Sequence, residues 1–139
     1  MNKKLILFFI LFLSAAPCLL AQEGVTEAMA LIGDGKNDEA ITLLNSELER
    51  NPSSSKVYVA LGIAYLEKGD YALSKANLEK SLSLNSSSIP AQFTLAMLYE
   101  KEKNYTQAAA EWKNVLKLSP DNNLKILATK HIKQLEGNK

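Results

Sequence analysis

Apolar residues recur at helical spacing along most of this chain, and short polar clusters interrupt them at regular intervals. This pattern predicts helices over 23–33, 37–50, 55–68, 71–84, 89–102, 105–118 and 122–136. The interruptions have turn chemistry. Gly33-Asp34-Gly35-Lys36-Asn37, Lys68-Gly69-Asp70-Tyr71 and Lys103-Asn104-Tyr105 read as turns within hairpins, where Gly or Asn takes the left-handed backbone that ends a helix. Asn51-Pro52-Ser53-Ser54-Ser55 and Asn85-Ser86-Ser87-Ser88 read as links between hairpins, whose Ser and Asn side chains suit helix N-caps. Pro90 falls just inside a helix start, where its missing N–H costs nothing.

Shifting the sequence by 34 residues superposes it on itself without gaps. Small residues recur at Ala28, Gly62 and Ala96, and again at Ala40, Ser74 and Ala108. Large ones recur at Leu31, Tyr65 and Tyr99, and at Leu44, Leu78 and Trp112. The units are 21–54, 55–88 and 89–122. Small residues at matching places in two antiparallel helices allow their backbones to cross closely, and large ones fill the space between units. One hairpin is unable to bury its apolar face alone, but a stack makes a continuous core. The first unit departs from the pattern: Glu27 stands where Leu61 and Leu95 stand, and Glu47 where Ser81 and Val115 stand. Helix 23–33 is therefore expected to be the least stable. The final helix carries Leu124, Leu127, Ala128, His131 and Leu135 on one face and suits a cap over the last unit.

The frame Tyr58…Leu61-Gly62…Tyr65, followed by Ser74 and Leu78, resembles the tetratricopeptide repeat, a 34-residue helix–turn–helix unit. The resemblance implies an all-α fold: three repeats and a cap helix in a right-handed superhelix, over residues 22–136 with a tail at 137–139. It also implies a concave groove lined by the first helix of each unit. Carried over, the groove positions are Val25, Val59 and Phe93, then Met29, Ile63 and Met97, then Ile32, Leu66 and Glu100. Most are apolar. The Lys, Asn and Arg set with which chaperone-binding members clamp a C-terminal carboxylate is missing. The stripe has two readings: it docks an apolar peptide or partner helix, or its residues pack against each other or a second copy.

The N-terminus reads as an address. Lys3 and Lys4 precede the unbroken apolar run Leu5 to Leu13, and small residues follow. This is the layout of a secretory signal peptide over 1–21, with cleavage after Ala21. Two alternatives are lipidation at Cys18, against which Pro17 and Ala15 argue, and an uncleaved anchor over Leu5 to Ala21. Each places the folded part outside the cytoplasm, and the shortness of the segment and the lack of further cysteines suit a bacterial periplasm. Membrane association is expected only through this segment.

Charge and chemistry narrow the function. The formal net charge is +1, and it becomes −1 without the first 21 residues, so no nucleic-acid footprint is expected. Cys18 and His131 are the only residues of their types, which leaves no Cys/His metal cluster and no Cys–His nucleophile pair in the folded part. Gly33-Asp34-Gly35-Lys36 lacks the spacing of a phosphate loop. Trp112 and the tyrosines fall at core positions, and a lone His131 on a cap helix reads as a packing residue. The expectation is a noncatalytic protein-interaction scaffold without cofactor or metal, its ligand a protein or peptide. The alternative is a self-associating structural protein of the cell envelope.

Overall fold

The computed structural model describes residues 23–137, and the expectations for the N-terminal segment and for Asn138 and Lys139 lie outside them. The described residues form helices throughout: α1 over 23–33, α2 Asn37–Arg50, α3 Ser55–Lys68, α4 Tyr71–Leu84, α5 Ile89–Lys101, α6 Tyr105–Leu118 and α7 Asn122–Gly137. Their bounds agree with the sequence pattern to within one residue. Helices α3 and α4 pair, α5 and α6 pair, and the pairs stack through α2 on α3, α4 on α5 and α3 on α5.

Local chemistry sets the boundaries. Ser54, Asp70, Ser88 and Asn104 are N-caps, each accepting a hydrogen bond from a first-turn backbone N–H. Gly35 (φ +76°) and Gly69 (φ +79°) take the left-handed backbone at two hairpin turns. At the third the expectation fails: Lys103 (φ +60°), not Asn104, is left-handed. Asn104 is occupied as the cap of α6, with φ −87° and its side chain accepting from the Gln107 N–H. The left-handed turn falls to its neighbour.

The helix crossings explain the small residues. A Cβ on Gly62 would lie 2.6 Å from Leu78 Cδ2, so a side chain there would have to displace Leu78 from the crossing of α3 and α4. Ser74 Oγ donates to the Gly62 carbonyl across the same crossing, at 2.7 Å. Ala28, Ala40, Ala96 and Ala108 are fully buried at the equivalent places.

Two apolar clusters form the core. One joins α1 and α2 to α3 through Ile32, Leu44, Val57 and Leu61. The other runs from α3 to α7 around Trp112, which is fully buried. Phe93 meets the Trp112 ring edge-on at 5.1 Å, and His131 stacks on it at 4.4 Å. Helix α7 buries Ala128, Ile132 and Leu135. This stripe is rotated from the one expected: Ile132 is inside, while Leu127 is at the rim and 37% exposed.

Candidate functional site

A groove of about 1390 Å³ opens between the first and second units. Val25 and Met29 of α1 form one wall, Val59, Ala60 and Ile63 of α3 the floor, and Ile89 and Pro90 at the start of α5 the far side. The helical spacing of four residues puts Val25 above Met29 and Val59 above Ile63, so each helix offers a short apolar ladder. Polar residues of the inter-unit links, including Ser54, Ser55, Asn85 and Ser88, close one end.

The sequence-derived groove positions divide into three groups. Val25, Met29, Val59 and Ile63 come together along this groove. Met29 is the most open of these four, at 40% exposure, whereas Val59 is buried and serves core and groove at once. Ile32 and Leu66 are buried in the core clusters, and Phe93 and Met97 pack against the cluster around Trp112. Glu100 lies elsewhere. It borders a smaller cavity of about 480 Å³ with Tyr105, His131 and Leu135. Its Oε1 accepts from Trp112 Nε1–H at 2.5 Å and lies 2.8 Å from His131 Nδ1. The half-buried carboxylate of Glu100 thus ties α5, α6 and α7 together.

Sequence reasoning left Glu47 out of the groove. This glutamate of α2 lines the wall and is only 2% exposed. Its Oε1 pairs with Arg50 Nη1 at 3.0 Å, and its Oε2 has no hydrogen-bond partner among the described residues. Gly24 of α1 makes room for it, since a Cβ there would lie 2.6 Å from Glu47 Oε1. The available signal was the departure of Glu47 from the repeat pattern.

Charge is distributed unevenly along the stack. Residues 23–50 carry Glu23, Glu27, Asp34, Asp38, Glu39, Glu47 and Glu49 against Lys36 and Arg50 alone. The groove's first wall therefore belongs to the acidic end of the molecule. Lys68 of α3 pairs with Asp38 of α2. That hydrogen bond raises the Lys68 pKa above its ordinary value, so the stabilisation from the Lys68 ammonium is lost only as pH rises through its folded-state pKa. No group of three or more His, Cys, Asp or Glu suited to a metal ion occurs among the described residues, and no helix there is long and apolar enough to cross a membrane.

Stacked helix hairpins with small residues at every crossing define a helical-repeat scaffold. The chain belongs to the tetratricopeptide repeat family, whose models match residues 25–88 and 89–122. Superkiller complex protein 3 of Homo sapiens is 28% identical over 87 residues, which are 63% of this chain and 6% of that protein. Cellulose synthase operon protein C of Escherichia coli (strain K12) is 41% identical over 59 residues, 42% of this chain and 5% of that protein. The chain thus matches a small part of these much longer relatives. Among solved structures, the Yersinia enterocolitica type III secretion translocator chaperone SycD aligns with a TM-score of 0.78 at 13% identity, over 85% of this chain and 92% of that one. The first tetratricopeptide domain of Spaghetti (RPAP3), bound to the HSP90 peptide SRMEEVD, aligns at 0.75 with 19% identity, over 85% of this chain and 91% of that one. At these identities the likeness is one of fold.

Proposed function

We propose that the protein is a noncatalytic interaction scaffold, exported from the cytoplasm by residues 1–21, that takes an apolar peptide or the apolar side of a partner helix between α1, α3 and α5. The observation that carries this reading is the groove itself, with its apolar ladders Val25/Met29 and Val59/Ile63 on adjacent helices. Ladders at four-residue spacing match the side-chain rows of a helix or an extended apolar segment. Met29 adds an adaptable contact surface. Fold neighbours that hold peptides, such as the Spaghetti domain with its HSP90 peptide and SycD with a peptide of the translocator YopD, lend support.

Selection of random displayed peptides on the protein, as the producing cell processes it, tests the reading. Capture is expected to favour apolar peptides and to drop at least about tenfold with Met29→Asp, which alters a half-open side chain and leaves helical circular dichroism unchanged. Equal capture by the variant would remove the groove from consideration. A stable dimer in light scattering that Met29→Asp dissolves would replace the peptide with a second copy. Mass spectrometry of the mature N-terminus checks export, with Gln22 the expected first residue.

A further inference from the structure

Glu47 is the only buried charged side chain among the described residues, and its Oε2 lacks a hydrogen-bond partner. A carboxylate oxygen withdrawn from water without a donor costs stability. The other units show that the stack closes without a carboxylate at this place. In the second unit it holds Ser81, whose hydroxyl lies 2.8 Å from the Ser55 hydroxyl, and in the third it holds a fully buried Val115. Gly24 departs from the pattern together with Glu47, for Tyr58 and Gln92 stand at its place in the later units, and its missing side chain is the space the carboxylate fills. Together Gly24 and Glu47 place an acceptor that no donor among the described residues meets.

Its surroundings define the donor. Glu47 lines the apolar groove, and the unit that contributes it has seven carboxylates against two cations. Arg50 pairs with the other oxygen, but its side chain is 68% exposed, so it moves aside without disturbing packing. Lys56, the other cation on the lining, is exposed and solvated. A buried acceptor without a partner governs selectivity more than two hydrated cations do, because it alone gains a bond it lacked.

We infer that the partner of this groove is an apolar peptide carrying one lysine or arginine, whose cationic N–H group bonds Glu47 Oε2 while its apolar neighbours fill the ladders of α1 and α3. This rests on the groove reading above and adds the sign of the charge. It sets this chain apart from the Spaghetti domain, whose peptide SRMEEVD carries Glu, Glu and Asp near its end.

The test is the same peptide selection on wild type and on Glu47→Gln. The wild type is expected to enrich apolar peptides containing Lys or Arg. A selected peptide is expected to bind Glu47→Gln about tenfold more weakly and to lose affinity as salt is raised. Changing the peptide's Lys to norleucine, measured on unaltered protein, is expected to cost a similar factor and answers the question even if Glu47→Gln folds poorly. Apolar peptides with no basic bias, binding both proteins alike, would overturn the inference and leave the groove reading standing. Enrichment of acidic peptides would overturn it in favour of Arg50 and Lys56. Absence of any peptide whose capture depends on Met29 would defeat the groove reading itself, and the inference with it.

Discussion

The two ends of the stack each place a glutamate between helices, and the two differ in how they are satisfied. Glu100, at the C-terminal end, accepts from the Trp112 indole and lies against His131, so one carboxylate joins three helices. Glu47, at the N-terminal end, is more deeply buried, and one of its oxygens has no partner among the described residues. A carboxylate oxygen that meets groups from two neighbouring helices belongs to the fold. A buried one without a donor among the described residues, on a residue that lines the groove, is where the proposed ligand would bond. The same residue type thus has two different settings: at Glu100 it joins helices, and at Glu47 it is proposed to meet a ligand.

The sharpest way to break the contrast is at Trp112. Trp112→Ala removes a fully buried ring together with its contacts to Phe93 and His131, and should cost about 3–5 kcal/mol in denaturant unfolding. Loss of well under 1 kcal/mol would mean that the C-terminal end is not held as described. A smaller effect is expected from Glu100→Ala, which leaves the indole N–H without its acceptor. The expected cost is about 1–3 kcal/mol, read as a lower midpoint of thermal unfolding. Glu47→Val installs the residue that the third unit uses and removes a buried oxygen without a partner. It should leave stability unchanged or raise it by up to about 1 kcal/mol. If Glu47→Val destabilises as much as Glu100→Ala, the two glutamates are alike and the contrast fails.

The helices and their stacking were legible in the sequence because they rest on local rules: helical spacing, turn residues and a repeat that superposes without gaps. Gly62 and Ser74 meet at a crossing as their spacing implied, since a close approach of backbones admits few residue types. The site was less legible. Val25, Met29, Val59 and Ile63 follow from the repeat and line the groove, whereas the contact of half-buried Phe93 with Trp112 is one the repeat does not announce. Glu100 looked like a groove residue because its partners lie 12 and 31 residues further along the chain, and no periodicity reveals such a bond. Glu47 looked like degeneration of the first unit. Only the burial of its carboxylate against Gly24 shows that the departure has a shape. Repeats make the fold readable, and for the same reason a position that breaks the repeat is easily dismissed as noise.

The most direct measurement is calorimetric titration of one selected lysine-containing apolar peptide into wild type, Glu47→Gln and Glu100→Gln. Affinity is expected to fall about tenfold for Glu47→Gln and to stay at the wild-type value for Glu100→Gln. Equal losses in both variants, or a loss confined to Glu100→Gln, would contradict the assignment of Glu47 to the partner and Glu100 to the fold.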